Sequence, residues 1–338
     1  MGSVLLGGKT EARPENTGGR VLIWNSNYPP DSSQAAKPKV LGYLGFDITN
    51  AIAVAAGDAH SLVLLANGKV VGIGNNEMGQ AFAGKGQIIG WTPSTNTKAL
   101  RFASTYQQQG EALVHLRTGV LTDVMKIAAR VHHSIAVRKD GSVEVWGADF
   151  QAEPFLLPVR FGKVTSVACG RDADWFLMHG GSLIELRKGL AQPVLSVSNV
   201  VMVAGTTHDR SQFVVLSGNG QVCSGSVREG VKVLVNSGSD VKSIAAGGWQ
   251  ILTLHADGKL TAHGGYLPEN LTNITAVAVG EKHSLALKAD GTVVSWGINR
   301  RRQAESPTGL SNVIAIAAGN GFSLAVTTNA VVAESFRR

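Results

Sequence analysis

The sequence predicts an all-β protein that folds as a single seven-bladed β-propeller, closed by strands from its N-terminus. Three observations indicate this fold: one unit recurs along the chain, its copies share a fixed internal spacing, and each copy consists of short β-prone runs separated by turn residues. Repeats with a period of about 20 to 50 residues are typical of solenoids, propellers and arrays.

The repeated unit is clearest from Gly280 to Asn299, with a close copy from Gly57 to Asn76. We call the residue that opens each copy its anchor; the weaker copies have their anchors at Arg130, Gly170, Gly205, Gly247 and Gly319. Anchor and turn are eleven residues apart in six copies, counted as 57 to 68, 130 to 141, 170 to 181, 247 to 258, 280 to 291 and 319 to 330. The copy at Gly205 reaches its turn at Gly220, fifteen residues on, so it carries a four-residue expansion.

Each unit is expected to form a hairpin, because runs such as 284–287 and 292–296 flank an Asp-Gly or Asn-Gly pair. This pair is a strong hairpin signal and predicts a type I′ turn, with positive φ at both central residues. An alanine-rich run precedes most anchors, as in 53–56, 127–129, 244–246 and 316–318. Small side chains suit strands that crowd around a central axis, so we expect these runs to be the innermost strands.

The size of the chain fits one closed propeller, a single domain over residues 1–338. The anchors from 57 to 319 span 262 residues in six intervals, a mean near 44, which is the length of one four-stranded blade. Residues 18–27 resemble the second half of a unit that has no anchor, whereas the last copy, from Gly319, stops early. We therefore expect N-terminal strands to complete the last blade, which leaves no open sheet edge.

Residues 80–120 do not fit the period, because the anchors at 57 and 130 are 73 residues apart. One interpretation is an elaborated polar loop over 80–109, carrying Trp91 and Tyr106; long loops in compact domains are often functional. The alternative is a degenerate blade, which would give eight blades. Arg130 follows Gly119 by only eleven positions, too few for two further strands, so seven blades are favoured.

The repeat, read as Ala-Gly-x-x-His-Ser-Leu-Ala-Leu, Asp-Gly and then Trp-Gly-x-Asn, resembles that of the regulator of chromosome condensation (RCC1) family, and most closely its short-repeat bacterial or viral type. The resemblance implies a seven-bladed propeller. It also suggests two activities: nucleotide exchange on a small GTPase with chromatin binding, or inhibition of β-lactamases. The chain departs from the first, because residues 1–19 hold only Lys9 and Arg13 as basic residues. It departs from the second, because Trp249 is the only aromatic residue just after an anchor.

Composition and charge narrow the range of expected functions. The chain has 44% hydrophobic residues and 41 glycines, which fits a folded all-β protein. Its net charge of +7 comes from 31 basic and 24 acidic residues spread along the sequence, so specific nucleic-acid binding is not expected. No signal peptide or apolar membrane span is evident, which predicts a soluble protein, cytoplasmic or virion-associated, without membrane insertion.

Nothing in the residue pattern predicts catalysis, a cofactor or a metal. His60, His133 and His283 lie three residues after their anchors, and this recurrence favours a structural role in holding a turn by hydrogen bonds. Cys169 replaces a small alanine before Gly170, which predicts a buried free thiol. Neither Cys169 nor Cys223 belongs to a disulfide or metal-ligand spacing. An enzyme working in the central channel is disfavoured, since the axial strands are mostly Ala, Val and Ile.

We therefore predict a non-catalytic scaffold that binds another protein, or a surface receptor, through loops on one face. The candidate partner-binding residues lie just after anchors, in the 80–120 region or in the one basic cluster: Trp249, Arg171, Asp172, His132, Glu281, Lys282, Trp91, Tyr106, Arg300, Arg301 and Arg302. The alternative is a structural or receptor-binding component of a larger assembly, such as a phage tail or virion.

Overall fold

The computed structural model describes residues 18–24, 39–43, 46–76, 79–81, 109–116, 119–147, 163–187, 190–206, 212–226, 229–236, 240–248 and 250–328. Across these ranges the chain forms strands and turns, and no helix is long and apolar enough to cross a membrane. Trp91, Tyr106 and Trp249 lie outside the described residues.

In chain order the strands are β1 (Arg20–Trp24), β2 (Lys39–Val40), β3 (Gly42–Tyr43), β4 (Phe46–Asp47), β5 (Ala51–Ala56), β6 (His60–Leu65), β7 (Val70–Asn75), β8 (Gln109–Leu113), β9 (His115–Leu116), β10 (Gly119–Val120), β11 (Val124–Arg130), β12 (His133–Arg138), β13 (Val143–Gly147), β14 (Val164–Cys169), β15 (Asp174–Met178), β16 (Leu183–Arg187), β17 (Leu190–Pro193), β18 (Val200–Gly205), β19 (Phe213–Ser217), β20 (Val222–Ser226), β21 (Gly230–Val235), β22 (Val241–Ala246), β23 (Ile251–His255), β24 (Leu260–His263), β25 (Ile274–Val279), β26 (His283–Lys288), β27 (Val293–Gly297), β28 (Val313–Ala318) and β29 (Ser323–Thr327).

These strands form seven antiparallel blades of three or four strands, which confirms the predicted seven-bladed propeller. From the axis outward they are β5-β6-β7-β8 (blade 1), β11-β12-β13 (blade 2), β14-β15-β16-β17 (blade 3), β18-β19-β20-β21 (blade 4), β22-β23-β24 (blade 5), β25-β26-β27 (blade 6) and β28-β29-β1-β2 (blade 7). Two short hairpins, β3-β4 and β9-β10, lie outside the blades.

The first strand of each blade belongs to an inner ring. Each inner strand contacts the inner strand of the next blade, and β28 contacts β5 to close the circle. The predicted alanine-rich runs lie in these strands, as in β5 and β22. Strand β8 is the outer strand of blade 1, so residues 109–113 complete that blade. The assignment of 80–120 as a whole stays a prediction, because residues 82–108 lie outside the described part of the chain.

The N-terminus closes the ring as predicted. Strand β1 pairs with β29 over its whole length, from Arg20 opposite Thr327 to Trp24 opposite Ser323. In blade 6, Trp296 lies opposite Ser284 in the same way, so β1 takes the place of a third strand. A backbone bridge from Gly19 to Ala51 then connects this strand to blade 1.

The apolar core lies between the blades. Seven clusters of buried side chains are present, and each joins two neighbouring blades. Between blades 3 and 4, for example, the rings of Trp175 and Phe213 meet edge to face at 6.4 Å. Because every blade shares its core with both neighbours, removal of one blade would expose two apolar surfaces.

The turns between the second and third strands differ from the predicted type I′. Gly68 has φ of +77°, whereas Asn67 is not left-handed. The amide of Gly68 donates to the carbonyl of Leu65 (2.9 Å), so the loop is a type I turn followed by a glycine bulge. The Asx side chain instead accepts a hydrogen bond two residues on, as from Lys69 N to Asn67 Oδ1 (3.1 Å).

These turns also connect the blades. The carbonyl of Gly68 accepts a hydrogen bond from Val124 N of the next blade (3.0 Å), and that of Gly291 accepts one from Val313 N (3.0 Å). The end of the propeller that carries these turns, residues 66–68, 139–141, 179–181, 218–220, 256–258 and 289–291, is called the turn face below.

Candidate functional site

The opposite end of the propeller carries the anchors and is called the anchor face. Antiparallel strands alternate in direction, so the end of the first strand and the end of the third strand of each blade lie at the same end. The loops that follow the anchors therefore form an inner ring on this face, around the axis. The loops that follow the third strands surround them.

The structure places the described candidates on this one face. His132, Arg171, Asp172 and Lys282 are exposed in the loops of blades 2, 3 and 6, and Glu281 is half-buried beside them. The residues that flank Trp249 lie in the corresponding loop of blade 5. Asn75, the last residue of β7, pairs with Gln109, the first of β8, at the anchor face, whereas Trp91 and Tyr106 lie outside the described residues.

The basic cluster follows the third strand of blade 6 and also lies on the anchor face. Arg300, Arg301 and Arg302 are exposed. Arg302 forms an ion pair with Glu305, and its φ of +59° corresponds to that of Gly79, +74°, in the matching loop of blade 1. One of the three charges is therefore paired within its own loop.

Tyr266 is an anchor-face residue that sequence reasoning missed. Its side chain is 63% exposed, and its carbonyl accepts hydrogen bonds from Trp296 Nε1 (2.9 Å) and Gln250 Nε2 (2.8 Å). These bonds fix the tyrosine loop at the rim of a shallow cleft, between blades 5 and 6, that Lys282 also lines. The sequence signal that could have found this residue is an aromatic residue directly after the two glycines that follow the third strand of blade 5.

The mouth of the central channel is polar, which sequence reasoning also missed. Asp58 and Asn320 approach each other across blades 1 and 7, with Asn320 Nδ2 3.5 Å from Asp58 Oδ2. Arg130 takes the anchor position that glycine occupies in the other six blades, and it is only 2% exposed. Burial lowers the pKa of its guanidinium, while the negative charges of Asp58 and Glu281 oppose that change.

The repeat histidines join blades. His60 Nε2 and Ser134 Oγ lie 2.8 Å apart, as do His283 Nε2 and Ser323 Oγ. Each serine then donates to a backbone carbonyl, Ser134 to Gln80 (2.7 Å) and Ser323 to that of Gln303 (2.9 Å). The predicted structural role is confirmed, although the bond reaches the next blade rather than holding its own turn.

Burial lowers the pKa of both histidines. It falls to about 4 for His283, and to about 3 for His60, where the charges of His133 and His132 add to the effect. Both imidazoles are therefore neutral near pH 7. They act as interblade hydrogen-bonding groups.

The interface between blades 2 and 3 departs from this pattern. His133 Nε2 meets a carboxylate, Asp174 Oδ1, at 2.9 Å. Cys169 lies in the same cluster, and the ligand atoms of the three side chains all lie within 4.8 Å of one another. The cysteine is buried and free, as predicted. Burial and the charge of Asp174 raise its pKa well above the ordinary value, so the thiol is protonated and is not a nucleophile.

Comparison with known proteins agrees with this architecture. The family model of the regulator of chromosome condensation (RCC1) repeat matches residues 51–80 and 274–303. These two segments contain His60 with Gln80 and His283 with Gln303, the groups that form the histidine–serine–carbonyl networks. These two segments of the chain therefore match the RCC1 repeat in sequence. No curated protein matches it in sequence.

Solved structures of RCC1-type propellers are similar over nearly the whole chain. Prp20p from Saccharomyces cerevisiae, described with its binding to Gsp1p and histones, is 18% identical, with a TM-score of 0.70 over 94% of both chains. Yeast RCC1 (Prp20) bound to Kap60 gives a TM-score of 0.71 at 18% identity, over 94% of this chain and 91% of that one. Human WBSCR16 gives 0.67 at 16% identity, over 92% and 99%. At these identities the similarity shows the fold alone.

Proposed function

We propose that this RCC1-repeat propeller is a non-catalytic scaffold that binds another protein through its anchor face. The observation that carries the proposal is the contrast between the two ends of the blades. Five of the six described turn-face loops repeat one geometry, and their polar groups bond to their own turn or to the next blade. Anchor-face loops differ in length, charge and aromatic content while standing on the same rigid strands, as binding loops commonly do.

The residues of this face are suited to a protein partner. Tyr266 presents an exposed aromatic ring on a fixed loop, and tyrosine is enriched among residues that dominate interface energetics. Lys282, Arg171 and Asp172 surround the channel with both signs of charge, which favours orientation of a partner over general attraction to polyanions. We include Trp249 in the proposed binding surface because its flanking residues, Gly248 and Gln250, lie at the anchor face.

The test is affinity capture from the native source with the intact protein and matched surface variants. Tyr266→Ala and Lys282→Glu alter the anchor face, and Lys139→Glu alters an exposed lysine of the turn face. We expect a partner that binds the wild type and Lys139→Glu alike, and binds Tyr266→Ala about tenfold more weakly, since about 1.4 kcal/mol changes affinity tenfold. A partner whose binding is weakened only by Lys139→Glu would overturn the proposal.

A second variant locates the site within the face. Residues 82–108 are replaced by a Gly-Ser linker that keeps Ala81 and β8, because β8 completes blade 1. Loss of the partner would make that segment the binding element, whereas retention would assign binding to the blade loops. The assembly-component role stays a prediction, and the mass of the protein in solution tests it. Turnover of a panel of hydrolase substrates would contradict the non-catalytic assignment.

A further inference from the structure

Three residues of one blade interface depart from the repeat, and the fold brings them together. Six blades have glycine at the anchor, whereas blade 2 has Arg130. Before the anchor, five blades have alanine, at positions 56, 129, 204, 246 and 318, blade 6 has Val279 and blade 3 has Cys169. Four blades have serine after the histidine position, at 61, 134, 284 and 323, whereas blade 3 has Asp174. Departures from a locally consistent pattern are expected where function overrides it.

The cluster is fully buried. His133 and Asp174 are each 3% exposed and Cys169 is 0% exposed. They supply an imidazole nitrogen, a sulfur and a carboxylate oxygen, all within 4.8 Å of one another. A serine at position 174 would satisfy His133 as Ser134 satisfies His60, so the interblade bond alone does not require a buried carboxylate. A thiol is likewise not required for packing, since alanine occupies this position in five other blades and valine in blade 6.

We propose that His133 Nε2, Cys169 Sγ and the Asp174 carboxylate bind a divalent transition-metal ion of the zinc class. A mixed nitrogen, sulfur and oxygen set of three protein ligands suits Zn²⁺, whose bonds to nitrogen and oxygen are about 2.0 to 2.2 Å long and whose bond to sulfur is about 2.3 Å. Tetrahedral bonds of that length place nitrogen and oxygen about 3.3 Å apart. The observed 2.9 Å hydrogen bond therefore has to open by only a few tenths of an ångström when a metal enters.

Proton and charge balance are straightforward. The metal forms bonds to sulfur, nitrogen and oxygen, the thiol proton of Cys169 leaves to solvent, and the ring proton of His133 resides on Nδ1. Thiolate and carboxylate together neutralise the two positive charges of the ion. The positive charge of Arg130 repels a cation, but the negative charges of Asp58 and Glu281 lie within electrostatic reach of its guanidinium and offset that repulsion.

Arg130 also lies within electrostatic reach of Cys169 and Asp174. Its Nε and Nη1 atoms are buried and have no hydrogen-bond partner within the described residues. A buried guanidinium with unused donors is costly, and a metal-bound water or small anion would accept from it. Access is short, since Cys169 and Asp174 flank the exposed loop of Arg171 and Asp172.

The experiment uses Co²⁺ as a spectroscopic probe of the intact protein after treatment with a chelator. Thiolate coordination gives a ligand-to-metal charge-transfer band, and Zn²⁺ should displace Co²⁺ and abolish it. We expect one equivalent of Co²⁺ to bind with this band in the wild type. Cys169→Ala and Asp174→Ser restore the residues of other blades and should retain the fold. Each should weaken binding by at least the roughly 10- to 100-fold that outer-shell changes cause.

Cys223→Ala is the matched thiol control, because Cys223 is the other buried free cysteine and lies in blade 4. This variant should keep the charge-transfer band, and Zn²⁺ should raise its melting temperature as it does for the wild type. A folded wild type without the band would overturn the proposal, as would a band that persists unchanged in Cys169→Ala. If Cys169→Ala does not fold, the same comparison is decided by Asp174→Ser.

Discussion

The interface between blades 6 and 7 and the interface between blades 2 and 3 use the same repeat positions for different chemistry. In the first, His283 Nε2 forms a hydrogen bond with Ser323 Oγ, and the serine hydroxyl donates to the backbone carbonyl of Gln303. In the second, His133 meets the carboxylate of Asp174 beside the thiol of Cys169. The fold therefore accepts different partners for this histidine, a serine in one interface and a carboxylate in the other. A repeat protein can therefore place reactive groups in one interface without altering the others.

Both interfaces depend on a closed ring, so the largest expected effect comes from opening it. Deletion of residues 1–30 removes β1, whose Val21, Leu22 and Trp24 are at most 1% exposed. Burial of such side chains contributes about 1.5 to 3 kcal/mol each, against a typical total stability of about 5 to 15 kcal/mol. We expect the cooperative thermal transition to be lost, as measured by circular dichroism.

Deletion of residues 2–17 is the control, because it keeps Gly18 to Trp24 and should leave the transition almost unchanged. An unaltered melting temperature after deletion of residues 1–30 would show that β1 does not close the propeller.

Acidification should weaken the blade 6 to 7 and blade 1 to 2 interfaces. Burial lowers the pKa of His283 from 6.5 to about 4, and that of His60 to about 3. The unfolded chain therefore takes up these protons first, and stability falls as the pH drops from 6.5 toward 4. The loss at pH 4 is about 3 kcal/mol for each histidine. Urea unfolding at several pH values measures it.

His283→Gln separates this effect from general acid denaturation. Glutamine can still bond to Ser323 but does not titrate, so the variant should lose less stability than the wild type between pH 6.5 and pH 4. Identical pH dependence in the two proteins would contradict a neutral buried imidazole at this interface.

A double-mutant cycle tests whether the blade 2 to 3 interface depends on charge. In metal-free protein, Asp174→Ser should cost about 1 to 3 kcal/mol, because serine still bonds to His133 but removes one of the negative charges within electrostatic reach of buried Arg130. Arg130→Gly should also destabilise, and the double variant should recover part of the loss. We expect a coupling energy of about 1 to 3 kcal/mol from urea unfolding. Additivity within about 0.5 kcal/mol would show that the two charges act independently.

The smallest expected effect concerns backbone strain in the same interface. Val131 has φ of +29°, and a β-branched residue is strained in that region. Val131→Gly should stabilise the protein by about 1 kcal/mol, the relief of strain less the added entropy of the unfolded chain. Ala59→Gly in the corresponding loop of blade 1, where φ is not left-handed, should destabilise by about 0.5 to 1 kcal/mol. Equal shifts of the melting temperature in Val131→Gly and Ala59→Gly would contradict backbone strain at Val131.

Much of the fold was predictable because blades are local. The spacing from anchor to turn follows from the length of a hairpin, and the alanine-rich runs follow from crowding near the axis. Closure was predictable because residues 18–27 repeat the second half of a unit. The turn type was predicted wrongly, since an Asx-Gly pair supports both a type I′ turn and a type I turn with a glycine bulge, and only the measured φ values distinguish them.

The site was predictable in part. The alternation of strand direction explains why residues after anchors, such as Arg171 and Lys282, share a face. Tyr266 was missed because the loops that follow third strands vary in length, so the repeat spacing does not predict which of their residues is exposed. Arg130, Cys169 and Asp174 were visible singly as deviations from the repeat, but their separation along the chain hid that they meet.

The sequence by itself therefore determined the propeller, its closure and the shared face of the loops that follow anchors, and it favoured seven blades over eight, because each of these follows from local periodicity. Only the tertiary structure decided which loops share a face with Tyr266, and that His133, Cys169 and Asp174 converge next to Arg130. The physical reason is that contacts between blades join residues about forty positions apart, and their geometry depends on how neighbouring sheets pack rather than on any pattern within one repeat.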